Sequence, residues 1–97
     1  MKILLLGDKG QIGRDLNKKI SKTNYTLSSC SKKDFDFSNY KALKSHASSF
    51  NPDIIINAAA YTKVDKAEHD KDIAFEINAR LPEFLAKYCL YNEIILI

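Results

Sequence analysis

The sequence predicts an α/β fold, a doubly wound parallel sheet with helices on both faces. Three observations carry this. Short, continuous apolar runs recur at residues 2–6, 54–56 and 94–97. Amphipathic helical patterns separate them, giving the alternation strand, helix, strand, helix, strand, helix, strand. All 3 glycines of the chain fall where the first apolar run passes into the first helical pattern.

Residues 2–6, Lys-Ile-Leu-Leu-Leu, end at Gly7 and fit a strand buried on both faces. Ile12, Leu16 and Ile20 then recur at a four-residue spacing, one stripe of an amphipathic helix. Residues 25–29 are a second strand, weakened by their serines. Ser38 is placed to cap a helix running through Tyr40, Leu43 and Ala47. Asn51-Pro52-Asp53 is turn chemistry, and Ile54-Ile55-Ile56 reads as another fully buried strand. It leads into Asn57-Ala58-Ala59-Ala60. From Asp72 a long helical pattern follows through Ile73, Ile77, Leu81, Phe84, Leu85 and Tyr88. Pro82 interrupts it, which predicts a kink or a helix restart. Residues 94–97 begin a further apolar strand with no helix after it, so the sheet is expected to be cut short at about the fifth strand position.

The 97 residues suffice for one compact domain over 1–97. The net charge of +3 is mild, and the lysines are scattered rather than gathered into a nucleic-acid arm. Cys30 and Cys89 stand far apart, and neither they nor His46 and His69 show metal-ligand spacing. Both thiols read as reduced packing residues. The apolar run before Gly7 is too short for a signal core, and nothing approaches a membrane span. No membrane or nucleic-acid partner is expected, and the location expected is the cytoplasm.

Gly7-x-x-Gly10-x-x-Gly13 sits between a buried strand and a helix, the context a dinucleotide-binding loop requires. Gly7 makes the tight turn. Gly10, with no Cβ, admits a pyrophosphate to the backbone. Gly13 lets the helix pack closely. The N–H groups of Gln11 and Ile12 are then directed at phosphate oxygens, with the helix dipole adding ~0.3–1 kcal/mol. The competing reading is a plain strand–helix turn. Ligands of such sheets bind beyond the carboxyl ends of the strands, where the strand order reverses. The small residues Ala58, Ala59 and Ala60 stand at one such end and leave room there, although close helix packing explains them as well.

An acidic residue at the end of the second strand would favour NAD. That region reads Ser29-Cys30-Ser31-Lys32-Lys33, with no carboxylate. Lys32 and Lys33 suit a 2′-phosphate, so NADP(H) is favoured and NAD(H) is the alternative. A solvated lysine pair is the competing reading. Asp36 and Phe37 follow, placed to flank an adenine, with Phe37 supplying apolar surface.

Four stretches, MKILLLGDKGQIGRDL, DFDFSN, NPDIIINAAAYTKVDKAE and FEINARLPEFLA, together resemble the dTDP-4-dehydrorhamnose reductases of the extended short-chain dehydrogenase/reductase superfamily. The stretch NAAAYTKVDKAE is the most specific of them. The resemblance implies a Rossmann-like fold and reduction of the 4-keto group of a dTDP-bound deoxysugar by NADPH or NADH, giving dTDP-L-rhamnose. It implies that Gly10, Gln11 and Ile12 hold the pyrophosphate, that Asp36 and Phe37 line the adenosine pocket, and that Ala58, Ala59 and Ala60 lie against the cofactor. It sets Val64 at the edge of the sugar pocket. Some members bind magnesium through a glutamate where this chain has the shorter Asp15.

The family's catalytic serine or threonine, and its Tyr-x-x-x-Lys pair, fall beyond residue 97. The chain is therefore expected to be the cofactor-binding N-terminal portion of such an enzyme, inactive alone. Tyr40 and Lys44 match Tyr-x-x-x-Lys but precede the strand at 54–56, the wrong place for that role. A non-catalytic nucleotide-binding module, or an epimerase or dehydratase of the same superfamily, are the other readings. An apolar strand at 94–97 without cover predicts self-association.

Overall fold

The computed structural model describes residues 1–31, 33–59 and 75–97. Four strands, β1 (Lys2–Leu6), β2 (Thr26–Cys30), β3 (Ile54–Asn57) and β4 (Ile95–Leu96), form one sheet in the order β2-β1-β3-β4. Every pairing is parallel. Leu4 faces Ser28 on one side and Ile55 on the other, and Leu6 faces Cys30 and Asn57. β1 is thus central, and its run from Ile3 to Leu6 is buried throughout, as a strand with neighbours on both edges and both faces requires.

Among the described residues three α-helices connect the strands: α1 (Gln11–Ile20), α2 (Tyr40–Phe50) and α3 (Leu81–Tyr91). They divide between the faces. Asn17 of α1 donates to the Ser29 hydroxyl at 3.3 Å, whereas His46 of α2 meets Ser28 Oγ at 3.4 Å and Cys30 Sγ at 3.6 Å. Adjacent strand residues point to opposite faces. Hence α1 and α2 cover opposite sides of the sheet, as a doubly wound fold demands. The core on the α2 side joins Leu4, Leu6, Cys30 and Ile55 to Leu43 and Ala47 of α2 and to Leu81, Leu85 and Cys89 of α3.

Local chemistry sets the helix ends. The cap of α2 is Asn39, whose side chain accepts from the Ala42 N–H at 3.1 Å. Ser38, the cap expected from the sequence, is not the capping residue. Ser38 is instead held by Asp36, whose Oδ1 accepts from both its N–H at 2.9 Å and its hydroxyl at 2.8 Å. α2 stops at Asn51, left-handed with φ 55°, and Pro52 follows. Lys18 and Lys19 lie in the last turn of α1, where the helix dipole favours cations.

The predicted interruption at Pro82 is a restart. A π-helical turn, Glu76–Arg80, passes into α3, with Pro82 in the first turn where its missing N–H costs no helical bond. The start of that pattern, at Asp72 and Ile73, lies outside the described residues. The apolar stripe of α1 is also shorter than its periodicity suggests. Leu16 and Ile20 are half-buried, but Ile12 is 70% exposed. β4 is brief and lies at a sheet edge, with Ile95 58% and Ile97 68% exposed. Among the described residues no helix is long and apolar enough to cross a membrane.

Candidate functional site

The strand order reverses between β1 and β3, since β2 lies on one side of β1 and the chain then crosses to the other. The glycine loop leaves β1 at this point, and Asn57-Ala58-Ala59 leaves β3 beside it. Backbone hydrogen bonds hold the two together. Ala58 N–H donates to Leu6 at 2.8 Å, and Gly7 N–H donates to the Cys30 carbonyl at 2.8 Å. The Asn57 side chain caps its own turn by accepting from Ala59 N–H at 3.1 Å.

The three glycines have different reasons to be glycine. Gly7 has φ +87°, and a Cβ there would lie 2.6 Å from the Ala59 nitrogen. Gly13 is buried, and a Cβ on it would strike the Gly7 carbonyl oxygen. Both are demanded by the chain's own packing. Gly10 is not. Its φ of −76° suits any residue, and a Cβ there would meet nothing within 4 Å.

Gly10 is also the N-cap residue of α1 and offers that helix no side-chain acceptor, while the first turn carries no acidic residue. A ten-residue helix therefore begins with no side-chain cap on its first N–H groups. That is the arrangement in which helix termini hold anions. Gln11 and Ile12 stand in the exposed first turn.

The segment after β2 folds tightly. Asp34 N–H donates to the Ser31 carbonyl at 2.9 Å, and its Oδ2 accepts from Ser31 N–H at 2.6 Å. Ser31 Oγ accepts from Lys33 N–H at 3.2 Å. Residues 29–33 carry no carboxylate, as expected, but two carboxylate residues from outside that stretch reach the end of the strand. Asp34 is folded back onto Ser31, and Asp8 is tied to the Cys30 carbonyl through its N–H at 3.2 Å. A Ser-x-x-Asp pattern at 31–34 is a local signal for the first of these. The second is a contact across 22 residues that no local pattern announces.

Both carboxylates are felt by Cys30. Burial, then Asp34, then Asp8 push its thiol up to about 11. Asp8 Oδ1 is shielded from solvent and has no hydrogen-bond partner among the described residues.

Asp36 is exposed, and the two bonds from Ser38, the backbone one first, hold its carboxyl below its ordinary value. Phe37 differs from the expectation of an adenine-facing ring. It is 3% exposed and packs edge-on against Phe35, with ring centroids 5.4 Å apart, inside the core. Its ring supports the loop from below and presents no face to solvent. Lys33 is exposed. Lys32, Ala60 and Val64 lie outside the described residues. Tyr40 stacks on Phe84 at 4.6 Å, between α2 and α3.

Comparison with known proteins agrees with this geometry. The family model described as the RmlD substrate binding domain matches residues 1–97. A dTDP-4-dehydrorhamnose reductase of Salmonella typhimurium is 40% identical over 90 residues, covering 90% of this chain and 30% of that protein. The crystal structure of a Clostridium acetobutylicum dTDP-4-dehydrorhamnose reductase superposes with a TM-score of 0.89 at 34% identity, over 99% of this chain and 34% of that one. The Bacillus anthracis enzyme, crystallised in complex with NADP, gives a TM-score of 0.86 at 32% identity, over 98% of this chain and 34% of that one. The chain spans about a third of the length of these relatives. With residues 1–97 matched throughout, the chain belongs to the RmlD substrate binding domain family.

Proposed function

We propose that the chain is the NADP(H)-binding part of a dTDP-4-dehydrorhamnose reductase, with NAD(H) as a second coenzyme. The observation that carries this is Gly10. Of the three loop glycines it alone is not required by the chain's own packing, and it opens onto free space at an uncapped helix start. A pyrophosphate is the group that such a cradle fits. The relative crystallised with NADP has the same fold over 98% of this chain.

On this reading the N–H groups at Gln11 and Ile12 bind the pyrophosphate, and Gly13 brings the start of α1 close enough for them to do so. Ala58, Ala59 and Ala60 form a wall of small side chains that lets the coenzyme lie against the end of β3. Asp36, at the surface beyond β2, borders the adenosine, with Phe37 fixing the loop beneath it. Lys32 and Lys33 offer cations to a 2′-phosphate. The bound coenzyme supplies hydride, and the acceptor is the 4-keto group of a dTDP-linked deoxysugar, as the relatives' names indicate. The same reading expects the protein to work in the cytoplasm.

The reading also extends to the sheet edge. Ile95 on β4 and Ile97 just after it are exposed, and an open apolar edge invites pairing with a second copy of the chain. The test of the main proposal is calorimetric titration of the 97-residue chain with NADPH and then NADH. Saturable binding of NADPH is expected. No heat from either coenzyme, with a folded chain by circular dichroism, refutes it.

A further inference from the structure

The buried oxygen of Asp8 makes no hydrogen bond among the described residues. Its backbone N–H is spent on the Cys30 carbonyl at 3.2 Å, yet its Oδ1 is sealed from water without a donor. Buried carboxylate oxygens are normally hydrogen-bonded, because leaving one bare forfeits its hydration for nothing. The residue as a whole is only partly buried. Its position is specific. The Cys30 carbonyl ends β2, the strand whose tip meets the adenosine ribose in dinucleotide folds. The other carboxylate there, Asp34, is already engaged by Ser31 N–H at 2.6 Å. Among the described residues Asp8 Oδ1 is the carboxylate oxygen there that is shielded from solvent and unpartnered.

We propose that Asp8 accepts a hydrogen bond from a hydroxyl of the adenosine ribose and opposes a 2′-phosphate there, so that it tilts coenzyme preference toward NAD(H). The inference rests on the dinucleotide reading given above. It sets a carboxylate of the glycine loop against the cations at 32 and 33. A hydroxyl donates to Asp8 and relieves its unpaired oxygen. A phosphate at the same carbon brings like charge against it. Asp8 is a specificity residue on this view, and it takes no part in hydride transfer.

The experiment is calorimetric titration of the 97-residue chain and its Asp8→Asn and Asp8→Ser forms with NADH and NADPH, with folding checked by circular dichroism. The ratio of NADPH to NADH affinity is expected to rise by about fivefold or more in either variant, the size of one charge-dependent contact. A ratio within about twofold of the parent's, in a folded variant that binds, overturns the role of Asp8 and leaves the dinucleotide site standing. Binding of neither coenzyme by the folded parent overturns both. The parent alone gives an independent readout. The carbon-13 resonance of the Asp8 carboxyl shifts on saturation with NADH if a ribose hydroxyl reaches it, and its failure to move overturns the proposal even where the variants do not fold.

Discussion

Gly7 presses against Ala59 so closely that a methyl group on the glycine would come within 2.6 Å of the alanine nitrogen. The contact joins the end of β1 to the end of β3 across the point where the strand order reverses. Gly7→Ala therefore meets two penalties, the steric clash and a φ of +87° that L-residues avoid. A loss on the order of 3 kcal/mol is expected. Urea denaturation followed by circular dichroism measures it. A Gly7→Ala chain as stable as its parent contradicts the packing described.

Gly10 gives the opposite result on stability. With open space around its Cα and an ordinary φ, Gly10→Val leaves the fold intact, at a cost of no more than about 1 kcal/mol for a β-branched side chain at a helix start. Its effect falls on binding, since the new side chain occupies the approach to the N–H groups of α1. NADPH affinity should drop by about tenfold or more while the far-ultraviolet spectrum is retained. Unchanged affinity removes the phosphate cradle from this loop.

What the sequence showed of this site, and what it hid, follows from the range of the interactions. β1 and β3 were legible because strands buried on both faces must be apolar throughout, as Leu4 and Ile55 are. The glycine loop was legible because its spacing is local. Ile12 was misjudged because periodicity identifies a stripe but not where the sheet beneath it ends. Ser38 and Asn39 are both competent caps, and only the engagement of Ser38 by Asp36 decides between them. The burial of Phe37 depends on Phe35, and the placement of Asp8 depends on Cys30. The Asp8–Cys30 contact spans 22 residues and no local pattern encodes it, whereas the Asp36–Ser38 and Phe35–Phe37 contacts join residues two apart, where several local arrangements compete.

The choice between Ser38 and Asn39 is directly measurable. Asn39→Ala removes the acceptor for Ala42 N–H and should cost about 1 kcal/mol. Ser38→Ala leaves the cap in place and costs less. It also removes a hydroxyl bond from Asp36, so the Asp36 carboxyl should rise toward its ordinary value in an NMR titration. A larger stability loss from Ser38→Ala than from Asn39→Ala reverses the assignment.

Cys30 makes stability fall at alkaline pH. Its thiol is pushed from 9.0 up to about 11 by burial, helped by Asp34 and Asp8. In the unfolded chain it ionises near its ordinary value, so the folded state holds the proton more tightly. The resulting stabilisation is complete below pH 9 and is lost as pH rises through about 11. It amounts to roughly 2–3 kcal/mol. Comparing urea midpoints at neutral pH and well above pH 9 for the parent and for Cys30→Ala isolates this contribution, and the variant should lose less stability between the two. Below pH 9 the folded thiol should also react slowly with alkylating reagents, because the thiolate is the nucleophile. Rapid alkylation of Cys30 in the folded chain contradicts its burial.

The edge strand supplies a prediction about association. β4 pairs with β3 on one side only, and Ile95 and Ile97 expose apolar side chains at that edge. Parallel edges with free backbone groups and no charge to repel a neighbour tend to recruit another chain. Light scattering coupled to size exclusion, run across a range of protein concentrations, should show mass rising above the 11.0 kDa monomer. Ile95→Lys adds a charge to the edge while leaving Leu96, the residue that packs against the core, in place. That variant should remain monomeric at concentrations where the parent associates, with the same circular dichroism spectrum. A parent that stays monomeric throughout rules out the edge as an association surface. A lysine variant that associates as readily as the parent locates the contact elsewhere on the molecule.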